Sequence, residues 1–305
     1  MKPAIRLPFI ALVTPSFNQA TYLEDTLRSV LEQHYPALHY RVVDGGSLDG
    51  SAAILERYRP QLQGLTIEPD QGQYDAINKG FSQALVSDDA EIMGWLNSDD
   101  LLLPGALHSV GEIFAAFPEV EWICCLVRAR CSYHGRIDTI TSLPGLAREA
   151  FAHNRYLPAA EPFSAFGFIQ QESTFWRRSL WERAGGFVST RHGLAGDYEL
   201  WHRFYQHGHC VGLASPLALN RVHHSQQSAA IDRYNADASP LIQPIPRLQR
   251  ARLALMRRLR RHGIAQLPAV QQQLAPRLGY SGQRIVLDAP QGPESRWHLE
   301  EYWFL

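Results

Sequence analysis

Two carboxylates stand side by side in the segment GWLNSDDLLLP, at Asp99 and Asp100, where the apolar run Ile92 to Leu96 has just ended. Adjacent acids repel each other unless a cation or water reaches them. Two more acids fall at comparable places: Asp44 closes the run YRVVD, and Asp70 follows LTIEP. Taken alone, the pair at 99 and 100 suits a turn, or a cap for the helix that Pro104 opens, as well as it suits a metal. Joined by Asp44 and Asp70, it becomes a set of hard oxygen ligands, the kind that holds Mg²⁺ or Mn²⁺ against substrate phosphates. In VVDGGSLDGS two glycines follow Asp44 and let backbone approach a ligand closely, while Ser47 or Asp49 can cap the next helix. The spacing is neither GxGxxG nor GxxxxGK[ST], so a dinucleotide fingerprint and a P-loop are both absent.

These acids meet only if the chain brings them to one edge. Residues 9–127 alternate strand-like and helix-like segments. FIALVT, YRVVD, LTIEP, EIMGWL and EWICCLV read as strands. TYLEDTLRSVLEQHY, SAAILERY, YDAINKGFSQALV and the run after Pro104 carry apolar residues at helical spacing. Thr21 and Glu24 have the spacing of a capping box. Such alternation predicts an α/β fold, a mainly parallel sheet with helices on both faces. Ligands bind at the carboxyl ends of such strands, which is where Asp44, Asp70, Asp99 and Asp100 fall. Beyond 128 the rhythm changes. CSYHGRIDT predicts a hairpin, 141–168 a long loop or short helices, and RSLWERAGG, GDYELWHRFYQHG and 247–261 predict helices. Asp197 stands in the first turn of the second of these, where a carboxylate suits the helix dipole.

Composition narrows the partners. With 305 residues the chain can bury a sizeable core, and its formal net charge of −1 offers no bulk field for nucleic acid. Cys124, Cys125, Cys131 and Cys210 form no CxxC pair, so buried free thiols fit better than a disulfide framework or a zinc site. The run MKPAIRLPFIALVTPSFN is broken by Pro8 and Pro15, too short for a membrane span and poorly built as a signal peptide. The expected compartment is the cytoplasm. The arginine-rich helix at 247–261 suits peripheral contact with an anionic inner membrane face as well as it suits packing on the body.

Four segments in order, TPSFNQATYLEDTLRSVLEQHYP, VVDGGSLDGS, DQGQYDAINKG and WLNSDDLLLPGAL, resemble the nucleotide-binding half of family-two glycosyltransferases. QQESTFWRRSLWERAGGF and LAGDYELWHRF resemble that family's acceptor half, so the resemblance covers roughly 8–228. It implies a GT-A, Rossmann-like domain over 1–230, with a nucleotide-binding half (1–127) and an acceptor-binding half (128–230). A C-terminal helical extension and tail would then occupy 231–305. The implied reaction is inverting transfer of a sugar from a nucleotide-diphosphate sugar, most often a UDP-sugar, to a glycan or lipid-linked acceptor in surface polysaccharide synthesis.

The resemblance also implies roles. Pro15, Ser16 and Asp44 would cradle base and ribose; Asp70, Tyr74, Asp75, Asn78, Asn97 and Ser98 would line the donor site. Asp99 matches the last acid of the family's Asp-x-Asp signature and would hold Mn²⁺ or Mg²⁺, with His223 of NRVHHSQQS beside it. Asn97 departs from that signature, since it stands where the first Asp belongs. Asp197 matches the catalytic base, with Glu199 near it, and Trp176 and Arg177 are candidates for the acceptor. Two separated sites suit the chemistry. A cation offsets charge on the departing diphosphate, and the base must lie across the sugar from it. The alternatives are a catalytically idle nucleotide- or glycan-binding scaffold on the same fold and a sugar nucleotidyltransferase. The latter usually carries a Gly-rich basic loop, which VTPSFNQATY lacks.

Overall fold

The computed structural model describes residues 6–85, 89–157, 166–224, 226, 230–264, 267–273, 279–288 and 297–304. Strands β1 (Phe9–Ser16), β2 (Leu38–Asp44), β3 (Gly64–Ile67) and β4 (Ala90–Trp95) alternate with helices α1 (Ala20–Leu31), α2 (Ser51–Tyr58) and α3 (Gln73–Ala84). After the two-residue β5 (Leu101–Leu102) and α4 (Ala106–Ala116), the predicted fifth strand divides at Leu126 into β6 (Trp122–Cys125) and β7 (Val127–Cys131). β8 (Ile137–Ser142) completes the predicted hairpin with β7. Next come α5 (Arg148–Ala152), a 3₁₀ turn at Gln171–Ser173, β9 (Thr174–Arg177), α6 (Arg178–Arg183), α7 (Gly196–His207), β10 (Cys210–Leu213) and β11 (Ala218–Arg221). The chain ends in α8 (Ile231–Ala238), α9 (Arg247–Arg261), α10 (Pro268–Gln273), β12 (Tyr280–Leu287) and β13 (Trp297–Phe304). Part of the expected loop, 158–165, lies outside the described residues, as do 225, 227 and 228 of the histidine segment and 289–296 of the tail.

The main sheet has the order β13-β12-β10-β6-β9-β4-β1-β2-β3, and β5-β11-β7-β8 form a second, smaller sheet. Parallel pairing joins β4, β1, β2 and β3, and also β6, β10 and β12. β9 lies antiparallel between β4 and β6. Apolar side chains alternate between two cores along the central strands. Ile10, Leu12, Ile92 and Ile123 pack with α1 and α4 residues, whereas Val13, Met93, Trp95 and Trp122 pack with α3, α6 and α7 residues. Helices therefore cover both faces, as the alternation predicts.

Register sets the functional rim. Ser16 pairs with Asp44 and Asp44 with Ile67, so β1, β2 and β3 end level, with Asp70 just beyond. Because β9 runs against its neighbours, the turn that precedes it stands at their carboxyl ends too. Residues 171–173 thus enter the rim from the second half of the chain.

Three expectations are corrected. The boundary at 230 is not structural: β12 pairs with β10 inside the main sheet, so 231–305 is not merely a helical extension and tail. The capping box at α1 does not form. Helix α1 starts at Ala20, Glu24 pairs with Arg57 and Tyr58, and the Ala20 N–H donates instead to Asp49 Oδ2 at 2.9 Å. Trp176 faces no acceptor; it is fully buried among Trp95, Trp181, Trp201 and Phe204.

Candidate active site

The loop after β2 is built on carboxylates that accept from their own neighbourhood. Asp44 Oδ1 accepts the N–H groups of Gly46 and Ser47, and its Oδ2 accepts the Ser47 hydroxyl at 2.7 Å. Asp70 leans against this loop. A Cβ on Gly45 would lie 2.8 Å from Asp70 Oδ2, so only glycine permits that approach. Burial, and after it the charges of Asp75 and Asp44, raises the Asp70 pKa, while the Gly72 N–H opposes the rise. Asp75 accepts the Gln71 N–H and pairs with Lys79. Pro15 and Ser16 close β1 beside them, and the buried Ser16 Oγ has no hydrogen-bond partner among the described residues.

The two adjacent acids have separate surroundings. Asp100 is buried; its Oδ1 accepts the Arg221 N–H at 2.9 Å and the Asn220 amide at 3.2 Å, fastening β11 to the end of β4. The Arg221 side chain, 1% exposed, donates to the carbonyls of Asp99 and Tyr133 and to Asp25. Thr26 on α1 donates to the carbonyls of Ser98 and Asp100. With the turn held this way, Asp99 Oδ2 meets His223 Nε2 at 3.0 Å, and the His223 ring packs on Tyr22.

Asp99 and His223 supply one hard oxygen and one imidazole nitrogen. Among the described residues no cluster of three His, Cys, Asp or Glu side chains adds a further ligand. Such a pair suits a divalent cation whose other ligands are substrate phosphate and water, the usual manner for Mg²⁺. Asn97 does not join it. Its Oδ1 accepts from Gln73 Nε2 at 2.6 Å.

Asp197 opens α7 and is 9% exposed. Its Oδ1 accepts the Tyr198 N–H at 2.7 Å and the Tyr234 hydroxyl at 3.1 Å. The Tyr74 hydroxyl accepts the Asp197 N–H, donates to the Leu194 carbonyl and stands 3.5 Å from Oδ1. Gly196 is required here, because a Cβ would meet the Tyr74 ring at 2.6 Å and the Ser189 carbonyl at 2.7 Å. Oδ2 is left without a protein partner among the described residues. Burial outweighs the hydrogen bonds and pushes the Asp197 pKa up to about 6. A carboxylate poised near neutrality, with one oxygen held and the other without a partner, can take a proton.

The rim and this wall are joined at the start of α3. Gln73 bonds to Asn97, two residues from Asp99, and Tyr74, the next residue, touches Asp197. Tyr74 and Asn78, expected in the donor site, are engaged on the wall side. The Asn78 amide donates to the Val188 carbonyl and accepts the Val188 N–H, both at 2.8 Å. The residues expected at the acceptor also have other duties. Arg177 donates to the carbonyls of Phe114, Phe117 and Val120 at the end of α4. Glu199 pairs with Arg203, which holds the Phe187 carbonyl.

Three residues at the site were not foreseen. Arg221 lies two residues before His223, Tyr234 lies beyond the expected boundary, and Glu172 lies in the segment QQESTFW. Only Glu172 carried a signal, a lone acid in an otherwise uncharged run ahead of Arg177.

Comparison with known proteins bears on this arrangement. The family description "Glycosyl transferase family 2" matches residues 11–183, and "Glycosyl transferase family 21" matches 139–249. The putative teichuronic acid biosynthesis glycosyltransferase TuaG of Bacillus subtilis is 33% identical over 96 residues, 30% of this chain and 36% of that protein. The poly-beta-1,6-N-acetyl-D-glucosamine synthase of Staphylococcus epidermidis is 26% identical over 135 residues, 43% of this chain and 32% of that one. The chain spans about a third of the length of the curated relatives it matches. Among solved structures, S. aureus TarS 1-349 in complex with UDP-GlcNAc superposes with a TM-score of 0.57 at 14% identity, covering 87% of this chain and 76% of that one. The mannosyltransferase PcManGT of Pyrobaculum calidifontis, in complex with GDP-Man and Mn²⁺, gives 0.57 at 21% identity, covering 79% and 66%. At these identities the likeness establishes the fold.

Proposed function

The chain belongs to glycosyl transferase family 2, and from that premise we propose that it moves a sugar from a nucleotide-diphosphate sugar to an acceptor hydroxyl with inversion at the anomeric carbon. The observation that carries the reading is the state of Asp197. It is buried, braced on one oxygen by Tyr198 and Tyr234, without a hydrogen-bond partner on the other among the described residues, and raised toward neutrality. In the proposed step the acceptor oxygen attacks the anomeric carbon, its proton passes to Asp197 Oδ2, and the bond to the diphosphate oxygen breaks on the opposite face. Asp44, Asp70 and the glycine turn between them would receive the nucleoside. Asp99 and His223 would hold a divalent cation, Mn²⁺ or Mg²⁺, which when bound offsets the charge that builds on the leaving oxygens.

Relatives named for teichuronic acid and poly-N-acetylglucosamine synthesis support a surface polysaccharide as the destination. No helix among the described residues is long and apolar enough to cross a membrane. Helix α9 exposes Leu248 and Leu255 amid arginines and would meet anionic lipid peripherally, where a lipid-linked acceptor lies.

A panel of UDP- and GDP-sugars, assayed for release of nucleoside diphosphate with and without Mn²⁺, tests the reaction. Nuclear magnetic resonance of the product reads its anomeric configuration. Release that is lost in Asp197→Asn supports transfer. A wild type that binds nucleotide-sugar but never releases nucleoside diphosphate supports the idle scaffold, and release of pyrophosphate from a nucleoside triphosphate supports the nucleotidyltransferase.

A further inference from the structure

Glu172 is a buried acid to which the proposed reaction gives no part. It sits in the 3₁₀ turn Gln171–Ser173, which the antiparallel course of β9 places at the carboxyl rim of β4 and β6. The residue is 4% exposed, and its Oε1 is buried with no hydrogen-bond partner among the described residues. Leaving such an atom unpaired costs about 1–3 kcal/mol, so a role confined to holding the fold would give it a donor. Its charged surroundings are those of the site. After burial, the charges of Asp99 and Asp197 both raise its pKa, to about 7, and Arg128 opposes them. Asp100 responds to Glu172 as well. Glu172 therefore lies within electrostatic reach of the acid assigned to the diphosphate and of the acid assigned to the acceptor. In the proposed reaction the anomeric carbon would pass between those two acids, which would bring the ring of the transferred sugar toward this carboxyl.

We infer that Glu172 is a specificity-determining residue whose unpaired carboxyl oxygen hydrogen-bonds a hydroxyl of the sugar being transferred. The inference rests on the glycosyl-transfer reading of the same site. A carboxyl suits the task, since it accepts from a sugar hydroxyl when ionised and can donate to one when protonated. A buried polar atom that only the correct epimer satisfies discriminates strongly, because the wrong epimer leaves it unpaired.

The test compares wild type with Glu172→Gln and Glu172→Leu in the full chain. The donor that wild type uses best is taken from a panel of UDP-glucose, UDP-galactose, UDP-N-acetylglucosamine and GDP-mannose. Affinity for the free UDP or GDP should stay within about twofold of wild type. Affinity for the intact nucleotide-sugar should fall about tenfold to hundredfold in the Leu variant and less in the Gln variant, and preference between epimers should flatten. Melting temperatures should hold or rise, because an unpaired buried acid has been removed. Parallel loss of free-nucleotide and nucleotide-sugar binding with a lowered melting temperature would mean a structural role and overturn the inference. Unchanged nucleotide-sugar affinity and epimer preference in both variants would also overturn it. A wild type that turns over no nucleotide-sugar but binds free nucleotide defeats the transfer reading itself, which is a separate outcome.

Discussion

The loop behind the rim and the wall around Asp197 apply the same two forces to a carboxylate and reach opposite results. In the loop, burial works against ionisation of Asp49. The Ser51 hydroxyl, the Ala20 N–H and the Ser51 N–H outweigh it, and the pKa falls below the usual carboxylate range. In the wall, Asp197 also receives hydrogen bonds, yet burial prevails and the pKa rises to about 6. Apart from the Ala20 N–H on Asp49, the donors here are close in sequence: Asp44 accepts from Gly46 and Ser47, Asp70 from Gly72, Asp75 from Gln71. Those at the wall include Tyr234, with Tyr74 close by, from two distant elements. Over-supplying a carboxylate with donors anchors a loop, and under-supplying it in a dry place makes a proton acceptor.

Replacing the wall's acid should have the largest effect. Asp197→Asn is expected to lower kcat by about 10²–10⁴-fold while nucleotide affinity holds. For wild type, turnover should fall as the pH drops through about 6, because the base is then protonated. Stability runs the other way. A carboxyl whose pKa is raised by folding favours the folded state while protonated, and that contribution is lost as the pH rises through about 6. Asp197→Asn should therefore stabilise the protein at pH 8, by at most about 3 kcal/mol, and leave it nearly unchanged at pH 3. Thermal melts at the two pH values decide this; equal melts at pH 8 would show that Asp197 is not held against its charge.

At the rim, the expected loss is in binding. Asp99→Asn and His223→Ala should each weaken UDP or GDP binding about tenfold or more and remove its dependence on Mn²⁺. Calorimetry with and without the metal reads both, and titrations identical to wild type would detach the pair from the diphosphate.

Tyr234→Phe tests the balance at the wall more finely. Losing one donor to Oδ1 should move the acidic limb of the pH–rate profile upward, slowing turnover at pH 6 more than at pH 8. A uniform slowing at all pH values would mean that Tyr234 only packs.

The two regions also differ in how far the sequence disclosed them. The strands ending at Ser16, Asp44, Ile67 and Trp95 follow from local periodicity, and so does the place of Asp44, Asp70 and Asp99 at or beyond the carboxyl ends of parallel strands. Local spacing cannot report β9. Its insertion antiparallel between β4 and β6 reverses the chain and buries Trp176 while lifting Glu172 to the rim, so the spacing within QQESTFW could not tell which of its side chains reaches the site. Tyr234 and the β12–β10 pairing were illegible for the same reason. A tyrosine in a helix or a strand-like octet such as YSGQRIVL says nothing of its partner until the tertiary fold supplies one.

The smallest effects separate local from tertiary capping at α1, the helix that backs the rim. Thr21 and Glu24 have capping spacing, but Thr21 is exposed and makes no cap, and Glu24 is turned to Arg57 and Tyr58. The orphan N–H groups at this helix start go instead to the facing loop. Gln19 donates to Ser51 Oγ at 3.1 Å and Ala20 to Asp49 Oδ2 at 2.9 Å. Asp49→Ala should then cost about 1 kcal/mol, as loss of a side-chain cap does, whereas Thr21→Ala should stay within about 0.5 kcal/mol of wild type. Urea denaturation resolves the difference. Should Thr21→Ala prove the more costly, the rim loop would be a passenger on α1 rather than its cap, and the contrast between locally and distantly supplied donors would lose its best-defined case.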